Sequence, residues 1–257
     1  MRRNKFGLIG HPIAHSLSPA LFKAGYEGRY PYELIESPDF EDAYQRFLDG
    51  YDGINVTAPF KELAFRKADI LSEECQKIGA TNLLIKTPEG VKAYNSDYLG
   101  VRMWISEISA DMLKIPTVLI VGLGGAGKAA AEAARSLGCR TILINRTLFH
   151  EDIRPLEDFS KCFKEADIII YNIPAGIPQL DNLTDEDIVG TNGGSKHILE
   201  ANYKDPSINK TLINRLISLN HGSSYTSGKT WLLYQAVTGY EIFTGEKPDL
   251  VKMSALI

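Results

Sequence analysis

The sequence predicts an α/β protein made of two units, an N-terminal mostly parallel α/β domain and a Rossmann-type dinucleotide-binding domain. Three observations carry that reading. Short apolar strands alternate with amphipathic helices along most of the chain, the order expected of a sheet covered by helices. The stretch VLIVGLGGAGKAA places Gly122, Gly124 and Gly127 in G-x-G-x-x-G spacing between an apolar strand and an alanine-rich helix. A late amphipathic helix, Trp231–Thr244, has no strand partner of its own and suits a return to the first unit.

The elements follow in order. FGLI (Phe6–Ile9) reads as a strand, and Ser18-Pro19 as a helix N-cap followed by proline at the first helical position. YELI (Tyr32–Ile35) is the next strand, and Phe40, Ala43, Tyr44, Phe47 and Leu48 form one face of the helix after it. GINVT (Gly53–Thr57) leads into a helix running through Leu63 to Ile70, and TNLLIK and VKAYN form a hairpin around Pro88-Glu89-Gly90. A helix from Tyr98 turns Val101, Trp104, Ile105 and Ile108 inward, and Ile115-Pro116 then opens a second βαβ system with strands TVLIV, TILIN, DIIIY and HILEA. The first domain is therefore expected to be discontinuous, residues 1–100 plus 225–257, around a Rossmann domain of residues 101–224.

A hydrophobic fraction of 44% with 23% charged residues is that of a globular protein, and a net charge of −4 with no basic stripe gives no reason to expect nucleic acid. Cys75, Cys139 and Cys162 are odd in number and widely spaced, so they read as reduced core residues, and no His/Cys/Asp/Glu spacing suggests a metal. The start, MRRNKFGLIG, carries two arginines but no apolar run for a signal peptide or membrane span, which points to the cytoplasm. Monomer and homodimer both fit these totals.

In the glycine loop, Gly122, Gly124, Gly125, Ala126 and Gly127 let main-chain amides approach a pyrophosphate at a helix N-terminus. An NAD site usually carries an acid at the end of the following strand, roughly 20 residues past the glycines. Here the strand ends in Asn145, Arg146 and Thr147, with no acid before Glu151. Arg146 suits stacking on adenine and pairing with a 2′-phosphate, and Thr147 can donate to it, so NADP is the expected cofactor.

The first unit sets polar groups at strand ends: HSLSP, NVTAPFK, GATN and NSD. Residues at the carboxyl ends of parallel strands converge on one crevice. Ser16, Ser18, Asn55, Thr57, Lys61, Asn82 and Asp97 therefore form a candidate pocket of hydroxyls, amides and one cation, suited to a small polyhydroxylated acid. Each has an ordinary alternative: Ser18 and Asp97 as helix caps, Asn82 as a turn residue, Lys61 as a surface lysine. His15 is given no catalytic role.

Taken together, GHPIAHSLSP, NVTAPFK, GATN, NSDYLG, GLGGAGKAA, NRT, NIPAGI and QAVTGYEIFTG resemble the shikimate dehydrogenase family, in the family's order and over nearly the whole chain. The resemblance implies NADP-dependent, reversible reduction of 3-dehydroshikimate to shikimate in aromatic amino-acid biosynthesis. It implies that Ser16 and Ser18 bind the substrate carboxylate, and that Asn55, Thr57, Asn82 and Gln235 hold ring hydroxyls. Lys61 and Asp97 would be the catalytic pair, Gly122 to Gly127 the pyrophosphate loop, and Asn145, Arg146 and Thr147 the adenosine 2′-phosphate site. Pro174, Tyr203 and Gly228 would lie near the nicotinamide.

The chain departs from the family pattern in four places. Only about twenty residues separate Thr147 from DIIIY, and Pro155 interrupts them, so the crossover is shortened and the adenosine side more open. The position of a second base is His150. The proline after Tyr203 comes one place late, at Pro206, and Trp231 stands where a methionine is usual. A carboxylate beside Lys61 favours the ammonium and burial favours the amine, so either a proton-transferring lysine or a fixed cation fits the sequence. Two other functions fit as well: a quinate/shikimate dehydrogenase using NAD or a paralogue taking an amino analogue, and a non-catalytic NADP-binding sensor on the same scaffold.

Overall fold

The protein is described by a computed structural model covering residues 4–191 and 193–257, so Arg2 and Arg3 lie outside the described residues. Its contacts divide the chain into two units, one reaching to Gly100 and resuming at Leu232–Ile257, the other Val101–Trp231.

The first unit begins β1 (Phe6–Gly10), α1 (Ser18–Tyr26), β2 (Tyr32–Glu36), α2 (Phe40–Gly50), β3 (Gly53–Val56) and α3 (Lys61–Lys67). There follow β4 (Ile70–Leu71), α4 (Glu73–Ile78), β5 (Leu83–Thr87), β6 (Gly90–Tyr94) and α5 (Ser96–Ser109), which runs on into the second unit. The sheet order is β2-β1-β3-β5-β6-β4. β2, β1 and β3 are parallel, while the β5–β6 hairpin enters antiparallel to β3, so β6 again points the same way as β3.

Two local expectations change. The helix expected to reach Ile70 ends at Lys67, because Ile70 and Leu71 pair with Lys92 and Ala93 as an edge strand. Ser18 is not the N-cap of α1: the cap position is Leu17, with no side-chain cap bond, and Ser18 is the first helical residue. The face of α2 is buried at Phe40, Ala43, Tyr44 and Phe47, with Leu48 36% exposed at its margin.

The second unit contains β7 (Thr117–Val121), α6 (Gly125–Ser136), β8 (Arg140–Ile144), β9 (Ile153–Arg154), α7 (Phe159–Glu165) and β10 (Ile168–Tyr171). It continues with α8 (Pro178–Asp181), α9 (Asp185–Val189), β11 (His197–Glu200), α10 (Lys210–Leu219), β12 (Ser224–Ser227) and the start of α11 (Gly228–Thr244). Its six strands are ordered β12-β11-β10-β7-β8-β9, all parallel. The strand order reverses between β7 and β10, the topological switch point where α/β sheets bind ligands. Residues 225–231, read from sequence with the first unit, group with the second because β12 hydrogen-bonds along β11. The rest of α11 and a final helix, α12 (Leu250–Ser254), belong to the first unit.

In the first unit α11 completes an aromatic core. Phe243 stacks on Phe6 at 5.0 Å between ring centres, and Tyr240 meets Phe22 edge-on at 4.8 Å. In the second unit the layer of β7, β8, β10 and β11 buries Leu119, Val121, Ile142, Ile144, Ile169 and Ile198 against α7, α9 and α10.

One buried cation holds that second layer. Lys196 is 3% exposed and its ammonium donates to the carbonyls of Phe163 (2.8 Å), Ala166 (2.6 Å) and Lys164 (3.3 Å), the carbonyls at the end of α7. Burial pushes its pKa down to about 8, with the nearby Asp167 carboxylate opposing the shift. Lys196→Met keeps the aliphatic stem and strips the helix end of its donors. It is expected to lower unfolding free energy by about 2–4 kcal/mol, read by denaturant titration.

Candidate active site

The sheet directions gather the first unit's polar residues at one end. The carboxyl ends of β1, β3 and β6 and the amino end of β5 coincide, since Asn55 pairs with Leu83 and Leu83 with Tyr94. Asn55 is on β3, Thr57 and Lys61 follow it, Asn82 precedes β5, and Asp97 follows β6.

Lys61 opens α3 and Asp97 lies in the first turn of α5, and Lys61 Nζ donates to Asp97 Oδ2 at 2.5 Å. The side chains are 30% and 12% exposed, so the pair is half-sheltered with the ammonium the more accessible partner. Asp97, weighed from sequence as a helix cap, is not needed for that role. Asn95 Oδ1 accepts from Tyr98 N at 3.0 Å, and its amide donates to the Ala80 carbonyl at 3.1 Å. Glu62, next to Lys61, is exposed and faces Arg66 along the helix.

The amides connect to this pair. Asn82 Oδ1 accepts from Ser96 N at 2.7 Å and from Ser96 Oγ at 3.2 Å, one residue before Asp97. The Asn82 carbonyl accepts from Val56 N at 2.8 Å and faces Asn55 Nδ2 at 3.5 Å. Ser16 and Ser18 form a local pair, Ser16 Oγ accepting from Ser18 N and donating to Ser18 Oγ, both at 3.2 Å. Gln235 is held by a close helix crossing: a Cβ on Gly100 of α5 would lie 2.5 Å from Gln235 N. Thr57 follows β3, and its methyl packs where Gly10 leaves room.

Sequence reasoning missed Tyr32 and Ser96. Tyr32 Oη donates to Asn55 Oδ1 at 2.8 Å, and Ser96 holds Asn82. Tyr32 reads only as a strand residue in PYELI, and its reach to Asn55 depends on strand order, which no local pattern encodes.

In the second unit the glycine loop leaves β7 at the switch point. Gly122 has φ +86°, and a Cβ on Gly127 would collide with the Gly122 carbonyl oxygen, so α6 can start against the strand only with glycine there. A Cβ on Gly124 or Gly125 would meet nothing within 4 Å, and no side chain caps α6. An open turn with uncapped helical N–H groups fits a pyrophosphate. Ala126 is the next residue of α6, half-buried.

Asn145 joins two loops: its Oδ1 accepts from Leu123 N at 3.1 Å and its amide donates to the Thr147 carbonyl at 2.9 Å. Arg146 and Thr147 are exposed beyond it. His150 pairs with Asp152 at 2.6 Å, and the same carboxylate lies 3.6 Å from Arg135, so Asp152 is engaged away from Arg146. Pro174, Tyr203 and Gly228 follow β10, β11 and β12. Asn202 donates to the Pro174 carbonyl at 3.4 Å, and Gly228 abuts the Ala201 carbonyl. Among the described residues no group of three or more His, Cys, Asp or Glu could hold a metal ion.

Residues 8–84 match the family described as shikimate dehydrogenase substrate binding domain, and residues 82–188 that described as D-isomer specific 2-hydroxyacid dehydrogenase, NAD binding domain. The NADP(+) shikimate dehydrogenase of Caldanaerobacter subterraneus subsp. tengcongensis is 32% identical over 266 residues, covering 94% of this chain and 91% of that protein. That of Halothermothrix orenii is 29% identical, over 95% and 92%. The crystal structure of shikimate 5-dehydrogenase from Thermus thermophilus with NADP(H) and shikimate superposes with a TM-score of 0.77, at 26% identity over 98% and 97% of the two chains.

Gly127→Ala is expected to weaken NADPH binding about tenfold or more, because the added methyl pushes the glycine loop off the helix start. Fluorescence titration of NADPH checks this, and an unchanged affinity would contradict the loop assignment.

Proposed function

Since the chain belongs to the shikimate dehydrogenase family, we propose that it catalyses the NADP-dependent, reversible reduction of 3-dehydroshikimate to shikimate, a step of aromatic amino-acid (chorismate) biosynthesis. The observation that carries the chemistry is the contact of Lys61 Nζ with Asp97 Oδ2 at 2.5 Å, at the converging strand ends. The nicotinamide supplies the hydride when bound.

What remains for the chain is the proton. In the reducing direction the Lys61 ammonium donates to the oxygen that was the carbonyl, leaving a hydroxyl; in the oxidising direction the Lys61 amine takes that proton back. Asp97 balances the ammonium and holds Nζ in place, so the lysine meets the developing oxyanion without searching rotamers. Asn55, Thr57, Asn82 and Gln235 bind the ring oxygens, and Ser16 and Ser18 the carboxylate. Glycines 122, 124, 125 and 127 with Ala126 take the pyrophosphate, and Arg146 and Thr147 the 2′-phosphate. The amide of Asn145 is spent on the two loops, so its part is to hold them for that phosphate. Pro174, Tyr203 and Gly228 border the nicotinamide in this reading.

No described helix is long and apolar enough to cross a membrane. Small soluble substrates and NADP suit a cytoplasmic enzyme, as monomer or homodimer, with no nucleic acid or membrane partner.

The direct test is NADPH formation by the purified protein with shikimate; no turnover would overturn the proposal. Lys61→Ala should lower kcat by about 10²–10⁴ with a smaller change in KM, and an unchanged kcat would remove Lys61 from the chemistry. Arg146→Ala should lower kcat/KM for NADP about tenfold or more and leave that for NAD within about threefold. Equal losses with both cofactors would argue against 2′-phosphate recognition.

A further inference from the structure

The hydrogen bonds of the two asparagine amides at the strand ends settle which end of each is oxygen and which is nitrogen. Asn55 Nδ2 faces the Asn82 carbonyl oxygen at 3.5 Å, an atom that can only accept, so the nitrogen belongs on that side. Asn55 Oδ1 is then the end that meets Tyr32 Oη at 2.8 Å, with the hydroxyl donating. Asn82 Oδ1 accepts from the main-chain N–H of Ser96 at 2.7 Å, a group that can only donate, so its oxygen is fixed on that side as well. Both amides therefore have their oxygens engaged inside the protein, and Asn55 Nδ2 keeps a second N–H beyond the one that faces the Asn82 carbonyl, a donor available to a ligand.

For Asn82 the holding group is main chain and comes with the fold. For Asn55 it is one side chain, Tyr32, the first residue of β2. β1 lies between β2 and β3, so Tyr32 reaches across a whole strand to meet Asn55. Its ring is wedged by Phe22 at 4.7 Å and Tyr240 at 5.9 Å, which fixes where its hydroxyl can be. Tyr240 in turn donates to the Ser18 carbonyl at 3.1 Å, tying this aromatic group to the start of α1.

We propose that Tyr32 is a positioning residue, whose hydroxyl locks the Asn55 amide with its N–H toward the substrate, so that the site selects ligand oxygens that accept. This rests on the reading above in which Asn55 meets a ring oxygen of shikimate. Without the hydroxyl the Asn55 amide is released to rotate, and an outward amide oxygen competes poorly for a ligand lone pair.

Tyr32→Phe keeps the ring and removes the bond. The expected result is a rise in KM for shikimate of about 3–10-fold, with kcat within about twofold and KM for NADP unchanged. In an Asn55→Ala background the same change should add less than in the unmodified protein, since only the contacts of the Tyr32 hydroxyl with Ser18 and Tyr240 are left to lose, whereas a purely structural tyrosine would add its full effect there. An unchanged KM, or an equal rise in both backgrounds, overturns the proposal. Asn55→Asp leaves Tyr32 and replaces only the donor end; KM for shikimate should rise at least as far, and no rise overturns the proposal. Hydrogen exchange of the Asn55 side-chain amide, assigned by its loss in Asn55→Ala, needs no substrate. Tyr32→Phe should speed it about tenfold, and unchanged exchange overturns the proposal. If the unmodified enzyme does not turn over shikimate, the functional reading fails by itself and the amide exchange still decides the role of Tyr32.

Discussion

An ammonium and a carboxylate 36 residues apart in sequence meet at 2.5 Å, and the first unit is arranged so that they can. Such a pair stands only if both charges are partnered and neither is wholly removed from water. The strands satisfy this by direction. β3 delivers Lys61 just past its carboxyl end, and the hairpin reverses twice so that β6 delivers Asp97 at the same end. Asn95 caps α5 by accepting from Tyr98 N, and Lys61 is the first residue of α3, so both charged groups sit at helix starts beside the strand ends.

The amides extend the same logic from charge to polarity. Val56 N, Asn82, Ser96 N and Tyr32 occupy one hydrogen-bonded run in which every contact has a defined donor and acceptor. Such a run is preorganised: its dipoles are set before a ligand arrives, and little reorganisation is left for the binding step. Lys61 and Asp97 continue this run, because Ser96 precedes Asp97 directly and the Lys61 carbonyl accepts from Thr81 N beside Asn82. In the proposed reaction, proton chemistry and ring-oxygen binding would thus share one scaffold. A change at Asn82 would therefore be felt at the charged pair as well as at the ring oxygens.

Local sequence carried the elements with strong periodicity. The strands FGLI, GINVT and TVLIV, the face of α2 and the glycine loop were legible because side-chain period and turn chemistry act over a few residues. That Lys61 and Asp97 come together was legible because motif and strand-end position agree. The short edge strands β4 and β9 were not, since two residues make no pattern and their pairing depends on neighbours far along the chain. Tyr32 and Lys196 were hidden for the same reason. One reaches across a strand to Asn55, and the other caps α7, 30 or more residues earlier. Ser18 was legible as a helix start but not as the residue inside it, because the cap fell on Leu17, whose side chain carries no capping group.

The shortened crossover after Thr147 has a structural consequence. β8 ends at Ile144 and β9 begins at Ile153, so a parallel connection is made in eight residues, without the helix such a connection usually carries. Asn145 N closes it by donating to the Arg154 carbonyl at 3.1 Å. No helix forms between β8 and β9, so Arg146 and Thr147 lie in this turn, and the Asn145 side chain ties the same turn to Leu123 in the glycine loop. One amide therefore supports both ends of the proposed cofactor site. Here the two are mechanically joined, so discrimination at the 2′-phosphate and grip on the pyrophosphate should change together whenever Asn145 is disturbed.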